Sequence, residues 1–154
     1  MRRLNRRAPL GSRDRGRRRS ILSGLPRARS ALGRTNLLCS RAASVGFDWS
    51  GPADVMGKIR EELAELEQAM ARRSRRREAA AWEIGDLFFA LANLARHLGL
   101  DSDRLIEAAN RRFSIRFREV ERLARERAID MRQAGFDRLD RLWNEAKKNV
   151  APVI

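Results

Sequence analysis

The chain has 154 residues and a formal net charge of +14, from 34 Lys and Arg residues against 20 Asp and Glu residues. This length fits one domain with a single hydrophobic core. The single cysteine, Cys39, excludes an internal disulfide and is typical of a protein in a reducing cytoplasm. No run of about 18 apolar residues occurs, so the sequence predicts no membrane-spanning helix.

The excess positive charge is concentrated near the N-terminus. Residues 1–44 hold 13 arginines and one aspartate, whereas residues 45–154 carry a net charge of only +2. Residues 1–24 combine arginine with Gly, Ser and Pro, which predicts a disordered basic tail. Three interpretations are open: a nucleic-acid-binding arm, a transit-like peptide, or an accident of the reading frame or start site. We favour the third, and we expect deletion of residues 1–22 to leave activity and thermal stability unchanged.

The segment after the tail predicts one helical domain over residues 25–150. Its first helix is predicted over Ala31–Ala43 and should end at Gly46. Phe47 and Trp49 follow in a connector, where both rings are available to pack. We expect Trp49 to belong to the core rather than to a ligand site.

Two acidic helices come next, over about residues 53–73 and 78–98, and Gly99 should follow the second as its C′ residue. Each helix contains two carboxylates three residues apart, which places them on one face. A basic segment, residues 72–77, joins the helices as a solvated loop that could also attract polyphosphates. The carboxylate pairs are Glu62 with Glu65, and Glu83 with Asp86.

The second acidic helix has a polar strip between two apolar arcs. Glu83, Asp86, Asn93 and His97 lie on the strip when each residue is placed 100° after the last. Such a helix should be buried on both sides, with its polar strip facing a cavity or cleft. His97 has no catalytic partner in the sequence, so we expect a hydrogen-bonded core residue rather than a base. The arcs consist of Leu87, Leu91, Leu94 and Leu98, and of Trp82, Phe89 and Ala92.

Carboxylates that converge inside a helical bundle repel one another, so each one requires a cation. That cation is either an Arg or Lys side chain or a metal ion. Oxygen ligands without a Cys/His cluster favour Mg²⁺ or Mn²⁺ over zinc. The alternative is that both pairs are ordinary salt-bridged surface residues, which two such pairs on adjacent apolar-flanked helices disfavour. Lys58 shares the strip of Glu62 and Glu65 and is a further candidate for substrate binding.

A third helix is predicted over about residues 102–127, with Asp101 or the next residue as its N-cap. It carries Arg112 and Arg116, which are four residues apart beside an apolar stripe. Two guanidinium groups at this spacing can bind phosphate oxygens. On spacing alone, a salt bridge to Glu119 or simple solvation explains the pair equally well.

A last short helix is predicted to begin at Asp137, after a loop that contains Gly135. Trp143 and Lys147 are an i,i+4 pair on this helix. A tryptophan near the end of a chain usually packs against its own domain. The pair alone therefore does not predict a site.

Four segments, taken in order, carry a resemblance to a known family. They are EELAE at residues 61–65, EIGDLFFALANLARHLG at 83–99, ANRRFSIRFREVE at 109–121 and LDRLWNEAKK at 139–148. Together they resemble the MazG family of nucleoside triphosphate pyrophosphohydrolases, and the similarity covers about residues 25–148. Longer MazG proteins carry another domain before this point, so the chain resembles a C-terminal MazG domain.

The resemblance implies an all-α bundle of about five helices that uses Mg²⁺ to cleave nucleoside triphosphates between the α- and β-phosphates. It places the metal on Glu62, Glu65, Glu83 and Asp86. It also implies that Arg112 and Arg116 bind phosphates, that Trp143 lies against the base and that Lys147 points toward phosphate. Arg112 stands where lysine is common in the family, which keeps the charge but alters the donor geometry.

We therefore predict a Mg²⁺-dependent nucleoside triphosphate pyrophosphohydrolase that serves nucleotide-pool house-cleaning. Glu62 acts as a metal ligand, Glu61 orients the attacking water, and Asn93 hydrogen-bonds the sugar or a ligand carboxylate. Two other classes of function are open. A nucleic-acid-binding protein acting through the tail predicts salt-dependent binding that survives loss of the carboxylates. A non-enzymatic oligomerisation or metal-binding bundle predicts metal binding without turnover.

We also predict a homodimer or a larger assembly. About 120 residues in five helices are few for covering the second acidic helix on every side. Helix-on-helix packing between two chains would bury its apolar arcs, and MazG relatives are dimers or larger. Such pairing could bring Arg112, Arg116 or Trp143 of one chain near the carboxylates of the other.

Overall fold

The computed structural model describes residues 20–28, 30–72 and 75–150, and the described residues form five α-helices and no strand. The all-α prediction of about five helices is confirmed. Residues 1–19 of the predicted tail lie outside the described residues. The helices are α1 (Ala31–Ala43), α2 (Pro52–Ala71), α3 (Arg76–His97), α4 (Ser102–Glu126) and α5 (Phe136–Asn149).

The helix ends follow local chemistry that is visible in the sequence. Gly99 has φ of +68°, and the Leu100 amide donates to the Ala95 carbonyl at 2.8 Å, which together close α3 with a Schellman motif. The Asp101 carboxylate then accepts from the backbone amides of Asp103 and Arg104 and caps α4. The turn between α3 and α4 is therefore fixed by two adjacent capping devices.

The helices pack as two hairpins with α1 between them. A short connection joins α2 to α3, and these two helices pack against each other along their length. Helices α4 and α5 form the second pair. Helix α1 packs against both α3 and α4. Within the described residues, α2 packs only on α3 and α5 packs only on α4. None of these helices is both long enough and apolar enough to cross a lipid bilayer.

The packing of α3 corrects one expectation. Within the single chain the helix is not buried on both sides, since Trp82 is 71% exposed and Leu98 is 53% exposed. The reason is that α2 meets α3 at Glu83 and Asp86 and leaves large side chains of the apolar arcs uncovered. Trp49 is also not a core residue, because the extended connector holds it at the edge of a cavity with 37% of its surface exposed.

Candidate functional site

Three carboxylates come together between α2 and α3. Oxygen atoms of Glu62, Glu83 and Asp86 all lie within 4.8 Å of one another, and these residues are called the carboxylate cluster below. Small side chains line the helix contact, since Ala69 is 1% exposed and Ala90 is 5% exposed. Small residues at a helix contact let two helices approach closely, which brings the acidic faces together.

Glu62 is the buried member of the carboxylate cluster and is only 4% exposed. Its Oε1 accepts from Lys58 Nζ at 2.6 Å. Its Oε2 is buried and has no hydrogen-bond partner among the described residues. Because a buried carboxylate oxygen without a partner is costly, the cluster fits a hard divalent cation such as Mg²⁺ or Mn²⁺.

The electrostatics of Glu83 also fit a cation site. Desolvation raises the pKa of this carboxyl, and the negative charges of Glu65, Glu62 and Asp86 raise it further. A cation placed among these groups would relieve that repulsion. Glu65 is exposed and stands outside the group of three, although its charge reaches Glu83. The structure thus brings together three of the four predicted ligands and leaves Glu65 near them.

Lys58 holds two neighbouring glutamates at the cluster. Its ammonium donates to Glu62 Oε1 and lies 2.9 Å from Glu61 Oε1. These hydrogen bonds, with Glu62 first, raise the pKa of Lys58 above its usual value, so the side chain stays charged. Glu61, the predicted water-orienting residue, is mostly exposed and is turned toward Lys58.

The basic and aromatic candidates lie on the other hairpin. Arg112 and Arg116 are half-buried on α4, and Glu119 pairs with Arg122 rather than with Arg116. The alternative in which Glu119 neutralises Arg116 is therefore wrong. Within the described chain neither α4 nor α5 packs on α2, the helix that carries Glu62.

Trp143 and Lys147 occupy one face of α5. The Trp143 ring centroid lies 5.2 Å from that of Phe113, and Lys147 Nζ lies 6.0 Å from the Trp143 centroid. Lys147 also donates to Asn144 Oδ1 at 3.2 Å. Trp143 borders an apolar cavity of about 340 Å³ between α4 and α5. In one chain Trp143 therefore packs against its own hairpin, and Lys147 is exposed.

Asn93 is fully buried on α3 and belongs to a polar network that the sequence did not predict. Its Oδ1 accepts from Arg96 Nε at 2.7 Å, and Arg96 Nη2 donates to Asp48 Oδ1 at 2.5 Å. His97 Nε2 lies 2.9 Å from the same Asp48 oxygen, which confirms that His97 is hydrogen-bonded. Arg96 and then His97 hold the pKa of Asp48 below its usual value. The only sequence signal was the position of Arg96 one helical turn after Asn93.

A protein-family model matches the middle of the chain. The model described as phosphoribosyl-ATP pyrophosphohydrolase matches residues 47–113, which contain α2, α3 and the first half of α4. All members of the carboxylate cluster lie inside this match.

Curated relatives match most of the chain. A nucleoside triphosphate pyrophosphohydrolase of Escherichia coli K12 is 37% identical over 133 residues, which are 84% of this chain and 49% of the relative. A Thermotoga maritima protein named nucleoside triphosphate pyrophosphohydrolase/pyrophosphatase MazG is 35% identical over 117 residues, 76% of this chain and 44% of the relative. The chain thus spans about half the length of the curated relatives it matches.

Proposed function

Since the chain's resemblance to the MazG family of nucleoside triphosphate pyrophosphohydrolases is confirmed over most of its length, we propose that it shares their reaction. The proposed reaction is the Mg²⁺-dependent hydrolysis of a nucleoside triphosphate to a nucleoside monophosphate and pyrophosphate. Its physiological role would be the removal of unwanted nucleotides from the pool. Mn²⁺ is a plausible substitute because it prefers the same oxygen ligands.

The carboxylate cluster is the observation that carries this proposal. Three carboxylates within 4.8 Å of one another and a buried, unpaired oxygen on Glu62 are costly unless a cation joins them. A triphosphate is a poor partner for three carboxylates that have only Lys58 as a counterion, because the negative charges repel. A bound divalent cation makes the two compatible, and the proposal therefore links metal and substrate at one place.

The roles of the residues follow from their positions. Glu62, Glu83 and Asp86 would hold the cation, with Glu65 completing the set from the adjacent surface. The cation supplies Lewis acidity toward the phosphates and activates water. Glu61 would orient the attacking water, and Lys58 would place its ammonium beside a phosphate oxygen. All of these residues lie on the α2–α3 hairpin.

Groups that neutralise the remaining phosphate charge would come from a second copy of the chain. Arg112, Arg116 and Lys147 lie on the α4–α5 hairpin, which in one chain does not pack on α2. Pairing two chains through the exposed apolar arcs of α3 would bring these groups near the partner's carboxylates. We therefore propose a homodimer with sites shared between chains.

The test is to measure pyrophosphate release from ATP, GTP, CTP and UTP with Mg²⁺, with Mn²⁺ and with a chelator. We expect equal amounts of nucleoside monophosphate and pyrophosphate, and no products with the chelator. Release of nucleoside diphosphate and orthophosphate would contradict cleavage between the α- and β-phosphates. Absence of turnover with all four nucleotides would contradict the enzymatic proposal.

Glu78→Gln is a matched control for changes at Glu83, because Glu78 is an exposed residue in the first turn of the same helix, α3.

A further inference from the structure

The side of α2 that carries Glu65 continues to the tip of the α2–α3 hairpin, where it ends in an arginine. Glu65 is exposed beside the carboxylate cluster, and Arg72 follows it by seven residues. This spacing is two helical turns on the same side of α2 and about 10 Å along its axis. Arg72 is the C-cap of α2, and its φ of −66° keeps its side chain in the helical direction. Arg72 therefore lies on the side of the hairpin where Glu65 borders the cluster.

Two observations direct the guanidinium group of Arg72 toward the cluster. Side chains on an α-helix lean toward its N-terminus, so Arg72, at the end of α2, leans back toward Glu65. Desolvation and the neighbouring carboxylates raise the pKa of Glu83, whereas the positive charge of Arg72 lowers it. The charge of Arg72 thus acts on the cluster from the tip of the hairpin.

No salt bridge neutralises Arg72 within residues 20–28, 30–72 and 75–150. Lys58, at the other end of the cluster, is in a different state. Its ammonium lies 2.6 Å from an oxygen of Glu62 and 2.9 Å from an oxygen of Glu61. The cluster is therefore bordered on α2 by a cation that two carboxylates share and by a second cation without such a partner in the described chain.

The two ends of the cluster suit the two ends of a triphosphate. The terminal phosphate carries the most negative charge, whereas the α-phosphate continues into an uncharged ribose. Arg72 is a cation beyond the candidate metal ligands, so the terminal phosphate should lie on its side. An extended triphosphate spans part of the distance of about 10 Å between Glu65 and Arg72, and the arginine side chain spans the rest. A guanidinium group can then form two parallel hydrogen bonds with phosphate oxygens.

We propose that Arg72 binds the terminal phosphate of the substrate and thereby selects nucleoside triphosphates over diphosphates. This inference rests on the proposed function. In that reaction the oxygen of water bonds to the α-phosphorus, and the bond from this phosphorus to the oxygen that bridges to the β-phosphate breaks. The electron pair of the broken bond stays on the departing pyrophosphate, and the proton of the water passes to solvent. Arg72 stabilises the negative charge of the pyrophosphate as it leaves.

Arg72 is not one of the residues to which the MazG resemblance gives a role. The resemblance implies phosphate binding by Arg112, Arg116 and Lys147, which lie on the α4–α5 hairpin. Arg72 instead belongs to the hairpin that carries the carboxylate cluster. It therefore acts on the substrate bound by its own chain, whether or not a second chain contributes.

The first experiment compares hydrolysis of nucleoside triphosphates with that of the corresponding diphosphates in the presence of Mg²⁺. We expect Arg72→Gln to lower kcat/KM for the preferred triphosphate at least about tenfold, because a charge-assisted hydrogen bond is lost. The value for the diphosphate should stay within about twofold of the wild type. Arg72→Lys should recover part of the loss, since it keeps the charge but not the paired donors. An equal fall for both substrates would overturn the selective role of Arg72.

Product inhibition tests the same contact without a diphosphate substrate. Arg72→Gln should raise the inhibition constant of pyrophosphate at least about tenfold and leave that of the nucleoside monophosphate unchanged. A rise for both products would mean that Arg72 acts through the metal site. Unchanged constants for both would mean that it does not contact phosphate. Either of these two results would overturn the inference.

Arg77→Gln is a matched control at the same tip. Arg77 is exposed and lines a cavity together with Met70. Met70 precedes Arg72 by two residues, which places it about 200° around α2 and so on the opposite side. We expect wild-type kinetics and inhibition constants in Arg77→Gln. Losses equal to those of Arg72→Gln would show that any charge at the tip suffices, which contradicts a directed contact.

Calorimetry separates this inference from the proposed reaction, because binding of pyrophosphate to the full chain with Mg²⁺ needs no turnover. Weaker binding to Arg72→Gln than to the wild type, together with no hydrolysis of any nucleoside triphosphate, would support the phosphate contact and defeat the reaction. Hydrolysis with equal pyrophosphate affinity in both proteins would support the reaction and overturn the inference. A wild type that does not bind pyrophosphate would overturn it as well.

Discussion

The two helical hairpins of this protein bury different sets of side chains. The α4–α5 hairpin has an apolar core of Val120, Leu123, Ala124, Leu142 and Ala146. The α2–α3 hairpin packs mainly through small residues and also buries Glu62 and Asn93. Large apolar residues are exposed on both hairpins, for example Trp82 at 71% and Phe136 at 80%.

This difference separates the roles of the two hairpins. Apolar burial stabilises α4–α5 in the ordinary way, at about 25 cal/mol for each Å² removed from water. The α2–α3 hairpin instead buries the carboxylate of Glu62, which lowers the stability of an isolated chain. We infer that its arrangement serves the site and a partner chain. The predictions below test that contrast.

The largest effect should come from Glu83→Gln, which removes one charge from the carboxylate cluster at nearly constant shape. Turnover should fall to background, because the cation loses a ligand. Stability without metal should rise, since the negative charges that raise the pKa of Glu83 no longer repel a carboxylate there. Pyrophosphate release and urea unfolding without metal measure the two effects. Wild-type turnover in Glu83→Gln would refute the metal assignment.

Mg²⁺ should also stabilise the wild type and not Glu83→Gln, because a ligand that binds only the folded state raises its stability. Thermal unfolding with and without Mg²⁺ tests this. An equal shift in both proteins would mean that the ion binds elsewhere.

A charge on the exposed face of α3 should have the next largest effect. Phe88 is 59% exposed. Burial of one phenylalanine contributes about 1.5–3 kcal/mol, so Phe88→Asp in both chains should raise the dimer dissociation constant at least about a hundredfold. Phe88→Leu should retain association. Sedimentation equilibrium decides the matter: a fully active wild-type monomer at micromolar concentration would rule out the dimer.

Mixing two inactive variants tests whether each site is shared between hairpins of different chains. Glu83→Gln disables the carboxylate cluster, and Arg116→Gln removes a proposed phosphate-binding group. In a mixed dimer with shared sites, one site carries both changes and the other is intact, so activity should partly return. Mixtures that stay as inactive as the separate variants would show that each chain forms its site alone.

The smallest expected effect lies in the α4–α5 hairpin and depends on pH. Arg122, and next Asn149, lower the pKa of Glu119 from 4.5 to about 2. A lowered folded-state pKa stabilises the protein above pH 4.5, and this stabilisation is lost as the pH falls toward 2. Glu119→Gln should therefore be less stable than the wild type at neutral pH. This difference in stability should disappear as the pH falls from 4.5 toward 2. Urea unfolding measures it, and a difference independent of pH would exclude the charge as its cause.

The sequence predicted the helices well because their ends depend on local chemistry. Asp101 and Gly99 fix the turn between α3 and α4 through contacts within a few residues. The spacing of Glu83 and Asp86 predicted that they share one face of a helix. The resemblance to the MazG family implied that these two residues meet Glu62 and Glu65, and the structure brings Glu62, Glu83 and Asp86 together.

Contacts between distant segments could not be predicted in the same way. Asp48 meets Arg96 across 48 residues, and this pairing depends on how α1 and the connector pack against α3. The exposure of Trp49 depends on the same packing. Hydrophobic periodicity correctly identified the apolar arcs of α3, but it does not indicate whether the same chain or another chain covers them.

Lys58 gives the site a counterion of its own. Its ammonium contacts Glu62 and Glu61. A divalent cation that enters the site therefore replaces the singly charged ammonium of Lys58. The displaced ammonium is then free to meet the negative charge of an incoming triphosphate. Metal and nucleotide should therefore bind cooperatively, each raising the affinity for the other by the same factor.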